Sequence, residues 1–188
     1  MDVQSARRFL EANELLKGTL VVDGGGHPSP EANARITRAI PLLMQVLESD
    51  RTNWEVAWLI GRAHETLSDY ALALQWFVGV QRFVPNHPDV AREAGICAME
   101  SGQPQVAIEQ TLIALRSAPG DLGLTTNLAM MYLFAGDLNQ ALRTANEAFR
   151  TAPDNAHVQA TRRIIAEVID GKRPLPRHRR DLNSTQGS

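Results

Sequence analysis

The chain of 188 residues contains few cysteine, lysine and aromatic residues. Its single cysteine, Cys97, excludes a disulfide within the chain and favours a reducing compartment. Lysine occurs only at positions 17 and 172, and aromatic residues make up 5% of the chain. No stretch approaches the roughly 20 apolar residues that a membrane-spanning helix needs. Because the first residues carry scattered charges and no apolar segment, a secretory signal is not expected, and the sequence predicts a cytoplasmic protein without membrane insertion.

The chain also lacks a large excess of either charge, because 19 basic and 21 acidic residues give a formal net charge of -2. That balance argues against a protein dominated by nucleic acid or by an anionic membrane. The basic residues are nevertheless crowded near the end of the chain, at Lys172, Arg173, Arg177, Arg179 and Arg180. Residues 171–188 show no apolar periodicity and are predicted to be a disordered tail. The tail is interpreted either as a solvated terminus or as a contact for nucleic acid or an acidic partner.

The residue types that carry chemistry are scattered along the chain. No histidine lies four residues from another on a helix, so no metal site is predicted. Cys97 lies in an apolar setting without an evident base, which favours a small buried residue over a nucleophile. Gly24, Gly25 and Gly26 lack the lysine and serine of a phosphate loop and are interpreted as a hinge or mobile loop. The sequence therefore predicts a protein that is not an enzyme and needs no cofactor.

A strict sequence repeat is the main positive feature of the chain. Prolines recur every 34 positions, at Pro85, Pro119 and Pro153. Small residues recur at the same interval, at Gly61, Gly95 and Ala129, at Ala73, Ala107 and Ala141, and at Ser68, Gly102 and Gly136. A strict period of this length predicts stacked supersecondary units.

Apolar residues recur within each period at three- and four-residue steps, which predicts two helices in each unit. The units span residues 54–87, 88–121 and 122–155. The helix predicted over 155–170 is apolar on one side and polar on the other, as a capping helix must be. Residues 1–53 predict two helices around a glycine-rich loop, and they can be interpreted as a degenerate first repeat because Ala39 precedes Ala73 by one period.

The pattern resembles the tetratricopeptide repeat (TPR) family, whose 34-residue helix-turn-helix units carry a Trp-Leu-Gly-Tyr then Ala-Phe-Ala-Pro signature. The matching positions are Ile60, Gly61, Ala73, Phe77 and Pro85 in the first unit, Gly95, Ala107, Ala114 and Pro119 in the second, and Leu128, Tyr132, Ala141, Ala148 and Pro153 in the third. Ala57, Thr111 and Ala145 depart from the signature, because the family often has larger aromatic residues there. The resemblance implies an all-α, right-handed superhelical solenoid with a C-terminal capping helix.

The resemblance also implies a peptide-binding groove on the concave surface, lined by the first helix of each unit. The lining residues would be Glu55, Trp58, Arg62 and Glu65, then Asp89, Arg92, Ile96 and Met99, then Thr126, Asn127, Met130, Leu133 and Phe134. Some of them could instead pack beneath a neighbouring helix. Family members that grip the carboxylate of a chaperone tail use lysine and asparagine, and the shortage of lysine argues against that partner.

We therefore expect a protein–protein interaction module, an adaptor or chaperone, that holds an extended peptide of a partner protein in this groove. One alternative is a scaffold that self-associates into homo-oligomers. Another is a cytoplasmic chaperone of the kind that serves type III secretion translocators, which the chain resembles in size and in the order of its parts. Nucleic acid is a less favoured partner, through the basic tail alone.

Overall fold

The structure, a computed structural model, describes residues 2–20, 28–177 and 179–182, without the side chains of Arg179 and Arg180. All regular secondary structure in these residues is helical. The α-helices are α1 (Val3–Leu16), α2 (Pro30–Ser49), α3 (Trp54–Thr66), α4 (Tyr70–Val80), α5 (Pro88–Glu100), α6 (Pro104–Ser117), α7 (Leu122–Phe134), α8 (Leu138–Thr151) and α9 (Ala156–Ile169), and a short 3-10 helix covers Arg179–Leu182. None of the described helices is long and apolar enough to cross a membrane.

The helices form two compact units, Met1–Pro85 and Asn86–Ser188. In the first unit α1 packs against α2, α2 against α3, and α3 against α4. Its core is made of buried aliphatic residues from α1, α2 and α3, among them Leu16, Ile36, Leu43 and Ile60. Arg35 of α2 donates hydrogen bonds to the main-chain oxygens of Glu14 and Lys17, which satisfies carbonyls at the end of α1.

The second unit continues the same pairwise packing from α5 to α9, and α9 also contacts α7. Small side chains from α5 and α6 meet Leu124 of α7 in one core cluster. A second cluster joins α7, α8 and α9 through Ala129, Leu133, Ala145 and Ile165. Helix α9 thus covers the last repeated pair with its apolar side, while Arg162 and Arg163 are exposed on the other side.

Close helix crossings require the small residues that recur once in each repeat. A Cβ atom added to Gly61 would lie 2.8 Å from the ring of Phe77, and one added to Gly95 would lie 2.9 Å from Thr111 Oγ1. Both distances are shorter than real contacts, so no larger residue fits without movement of buried neighbours. The interhelical contacts are therefore built on the residues that define the repeat.

Two local features differ from the sequence-based expectation. The apolar pattern before Pro85 predicts a helix that runs to about Val84, but α4 ends at Val80. The chain then makes tighter turns in which Phe83 N–H donates to the Val80 carbonyl. Pro85 favours this early end because it disfavours helical geometry in the residue before it. The apolar pattern also predicts Ile169 on the inner side of α9, but Ile169 is 42% exposed because it lies at the very end of that helix.

The described part of the predicted disordered tail makes specific contacts with the second unit. Arg173 Nε lies 3.1 Å from Glu167 Oε2, and its Nη1 donates to the Leu182 carbonyl. Lys172 Nζ lies 2.8 Å from Asp170 Oδ2, and the main-chain N–H of Arg177 donates to Asp181. In residues 171–177 and 179–182, for which composition predicts a disordered tail, two of the cations thus pair with acidic residues near the end of α9.

Candidate functional site

The predicted site residues of the first unit form a ladder along α3. Glu55 is exposed and Trp58 is half-buried, whereas Arg62 is only 8% exposed. The guanidinium of Arg62 lies 3.0 Å from Glu65 Oε2 and 5.8 Å from the centre of the Trp58 ring. This geometry allows an ion pair on one side of the cation and a cation–π contact on the other. Arg62 therefore organises its own helix, and Trp58 and Glu55 are the residues of this set that reach the surface.

In the second unit the predicted residues of α5 follow one stripe, with Asp89 exposed and Arg92, Ile96 and Met99 half-buried. Arg92 Nη2 lies 3.2 Å from Asp121 Oδ2, and its Nη1 lies 3.5 Å from Asp89 Oδ1. Asp121 also caps α7, because its Oδ1 accepts a hydrogen bond from the main-chain N–H of Leu124. The Arg92–Asp121 pair thus joins this side of α5 to the start of α7.

The predicted residues of α7 divide into a half-buried and a buried set. Asn127 and Met130 are half-buried, and Met130 occupies the position one repeat after Ile96. Thr126, Leu133 and Phe134 are buried, and Thr126 Oγ1 donates to the Leu122 carbonyl within the helix. Leu133 belongs to the core cluster with Ile165 and Val168 of α9. These three residues were predicted to line the groove, and the structure corrects that expectation because they pack inside the unit.

Apart from the exposed Asp89, five predicted residues of the second unit are half-buried and therefore partly accessible, and we call them the α5–α7 face: Arg92, Ile96, Met99, Asn127 and Met130. Three of the five are apolar, the β-branched Ile96 and the flexible Met99 and Met130, one is a cation and one is an amide. The Asn127 side chain makes no hydrogen bond within the described residues. Such a surface can bury apolar side chains of a ligand while an arginine and an amide bind its carbonyl or carboxylate oxygens.

A separate cleft of about 390 Å³ lies within the second unit, between α6, α7 and α8. From α7 it is lined by Thr125, Leu128 and Tyr132, which lie on the opposite side of that helix from Asn127 and Met130. Arg143 and Glu147 of α8 bring charged side chains to the same cleft. The sequence analysis did not predict this cleft, because it depends on how α6 and α8 pack around α7. The only related sequence signal was the match of Leu128 and Tyr132 to the repeat signature.

The histidine and cysteine residues considered for catalysis or metal binding belong neither to the α5–α7 face nor to the cleft. His64 Nδ1 lies 3.4 Å from Asp69 Oδ2, and the residue is half-buried on α3. Cys97 is buried. Within the described ranges no group of three histidine, cysteine, aspartate or glutamate residues could hold a metal ion. The glycine-rich loop at 24–26, His27 and His178 lie outside the described residues.

Comparison with known proteins finds a repeat match over part of the chain and a shared fold over most of it. A model of the tetratricopeptide repeat matches residues 31–88, from the start of α2 to the start of α5. No curated protein matches the chain.

Solved structures of low sequence identity share the fold. A MamA fragment (41-end) from Desulfovibrio magneticus RS-1 is 16% identical, with 91% of this chain and 94% of that chain covered and a TM-score of 0.69. Another crystal structure of MamA is 12% identical, with 88% and 84% covered and a TM-score of 0.71. YrrB, described as a TPR protein with an unusual peptide-binding site, is 18% identical, with 75% and 72% covered and a TM-score of 0.65.

The spacing of the small residues, the paired helices and these comparisons agree on one architecture. The all-α helical-repeat fold predicted from the strict sequence period is therefore confirmed, and over residues 31–88 the chain matches the tetratricopeptide repeat.

Proposed function

We propose that the protein is a protein–protein interaction module that binds an extended peptide segment of a partner protein on the α5–α7 face. The observation that carries the proposal is the stripe of half-buried Ile96, Met99 and Met130 beside Arg92. Methionine, arginine and aromatic residues are enriched at the cores of protein interfaces. Full burial of each apolar side chain by a ligand is worth about 1.5–3 kcal/mol.

Arg92 can orient such a peptide while it keeps its own ion pairs. Its guanidinium already contacts Asp121 and Asp89, yet the side chain is 31% exposed. A cation held in place by two carboxylates loses little rotamer freedom on binding, which favours a ligand carbonyl or carboxylate at this point. Asn127 adds an amide that can both donate to and accept from a peptide backbone.

The fold comparison supports the same class of function. YrrB, which shares the fold, is described as having a peptide-binding site. In the first unit the equivalent side of α3 presents the half-buried Trp58 and the exposed Glu55, and we propose them as a second, separate contact for protein ligands. The proposed role is binding without catalysis.

The test is selection of peptides from a random displayed library on the immobilised full chain, followed by affinity measurement on purified variants. We expect Ile96→Glu and Asn127→Ala to weaken the selected peptide about tenfold or more, because they remove an apolar contact and an amide contact respectively. Ile169→Glu is the matched control, since Ile169 is exposed at the far end of α9. Melting curves of all variants establish that they are folded.

A cleft variant separates the two surfaces of the second unit. Arg143→Glu reverses a charge in the cleft between α6 and α8 and should leave the affinity unchanged. If Arg143→Glu alone abolishes binding while Ile96→Glu and Asn127→Ala do not, the α5–α7 face is not the binding surface.

A further inference from the structure

Helix α4 carries no charged residue along its whole length, from Tyr70 to Val80. Its inner side packs into the first unit through Ala73, Leu74, Phe77 and Val80, all of them buried. An amphipathic helix at the surface of a repeat would place polar residues on the opposite side. Here the opposite side is apolar as well.

Three apolar residues with exposed surface follow one line along α4 and the turn after it, whereas Val78, which is 40% exposed, lies off this line. Leu72 is 41% exposed, Trp76 is half-buried, and Phe83 is 47% exposed. Leu72, Trp76 and Gly79 occupy positions i, i+4 and i+7, which lie above one another on a helix, and Phe83 follows in the turn after α4. We call Leu72, Trp76, Gly79 and Phe83 the α4 stripe.

The repeat itself supplies the comparison that makes this stripe informative. The residues at the equivalent positions are Arg38, Leu42, Gln45 and Ser49 in α2, Val106, Gln110, Ile113 and Ser117 in α6, and Gln140, Thr144, Glu147 and Thr151 in α8. The same fold is thus built elsewhere in the chain with mostly polar residues at these positions. Because the repeat fold does not require an apolar stripe here, its exposure calls for a partner.

We propose that the α4 stripe is the interface of a homodimer, in which it packs against α4 of a second copy with the two helices antiparallel. Shape supports this occupant. A two-fold axis between Gln75 and Trp76 sets Leu72 of one copy opposite Gly79 of the other. A Cβ atom added to Gly79 would meet nothing within 4 Å, so the glycine leaves an open notch for the leucine.

The charges at the two ends of the helix support the same arrangement. Asp69, with a side chain 45% exposed, precedes α4, and Arg82 follows it. Antiparallel packing brings Asp69 of each copy to the end that carries Arg82 of the other, whereas parallel packing would pair like charges. Arg82 has no ion pair within the described residues. An antiparallel pair is therefore self-complementary in both shape and charge.

The size of the stripe sets the strength of the association. Residues 70–83 span only about 20 Å of helix and turn. A contact of this length buries less than the roughly 800 Å² per partner of a standard stable interface. The dimer is accordingly weak and forms at about micromolar concentrations and above.

The experiment is sedimentation equilibrium of the full chain over a concentration series from about 1 to several hundred μM, with a fold check by thermal melting. The wild-type mass should rise with concentration from 20.7 kDa toward twice that value. Leu72→Glu should remain monomeric throughout. The matched control is Leu10→Glu, because Leu10 of α1 is 66% exposed and lies outside the stripe, and this variant should associate as the wild type does.

The charges test the orientation of the helices. Arg82→Asp should weaken the dimer at low salt, and the double variant Asp69→Arg with Arg82→Asp should restore it. A wild-type mass that stays at the monomer value overturns the proposal, as does a folded Leu72→Glu variant that dimerises normally. Failure of the double variant to restore association rules out the antiparallel arrangement. None of these outcomes depends on peptide binding at the α5–α7 face, which lies in the second unit.

Discussion

At the scale of single residues, the three repeats show a compensation in size between two positions at the helix crossing. Gly61 faces the Phe77 ring and Gly95 faces Thr111, whereas Ala129 shares a core cluster with Ala145. The members of each set occupy equivalent positions in successive repeats. The larger the side chain on the second helix, the smaller the residue that the first helix can carry, because interiors are close-packed.

This compensation predicts that replacing glycine by alanine destabilises the protein at two helical positions and stabilises it at a third. Gly61→Ala and Gly95→Ala should each lower the free energy of unfolding by about 1–3 kcal/mol, since the new Cβ atom overpacks buried neighbours. Gly79→Ala should raise it by about 0.4–1 kcal/mol, because alanine fits the helix and enters open space. Denaturant melts at low protein concentration measure all three. Equal effects at the three positions would contradict the assigned helix crossings.

The turns within the repeats show a second residue-scale feature. Gly102 and Gly136 have φ angles of 74° and 79°, and Ser68, at the equivalent position, has 62°. A residue with a Cβ atom is strained in this left-handed region by roughly 1–2 kcal/mol.

Ser68→Gly should therefore raise the melting temperature, while the reverse change Gly136→Ser should lower it. Thermal melts of the two variants measure this directly. A lowered melting temperature for Ser68→Gly would mean that the turn before α4 does not have the described geometry.

Residue patterns predicted part of the candidate site and missed the rest for a physical reason. Met99 and Leu133 occupy equivalent positions of successive repeats, so the sequence treats them alike. In the structure Met99 is half-buried, whereas Leu133 is covered by Ile165 and Val168 of α9. The periodicity alone could not indicate this difference, because it depends on which side chains the following helix contacts and not on the spacing.

At the scale of helices, the repeat predicted where most helices begin, because proline and capping residues mark the starts. Pro30, Pro88 and Pro104 each stand at the first helical position. Asn155 accepts hydrogen bonds from the main-chain N–H groups of His157 and Val158 at the start of α9. Asp69 stands just before α4, where an aspartate is a typical cap, but it makes no capping hydrogen bond and lies beside His64 instead.

This difference between two formally similar helix starts can be measured. Asn155→Ala should lower the free energy of unfolding by about 1 kcal/mol, the usual effect of removing a capping side chain. Asp69→Ala should have a clearly smaller effect, because no cap is lost. Chemical denaturation of both variants at low protein concentration provides the comparison, and a larger loss for Asp69→Ala would contradict the described cap geometry.

At the scale of the whole molecule, the sequence predicted the helical-repeat fold but not its division into two compact units. The first unit ends at Pro85, and Pro85 is in phase with Pro119 and Pro153. The 34-residue spacing of prolines is the same at the boundary between the two units as between neighbouring repeats within one unit. The position of the boundary is set by which helices pack together, and that information is not contained in the spacing.

The central claim is that this repeat protein binds a peptide through the α5–α7 face of its second unit. The most direct measurement is NMR mapping of the amide and methionine methyl signals of the full chain during titration with a library-selected peptide. The account predicts that the largest changes occur at Ile96, Met99, Asn127 and Met130. Changes confined to the cleft residues Leu128, Tyr132 and Arg143, with the α5–α7 face unaffected, would contradict it.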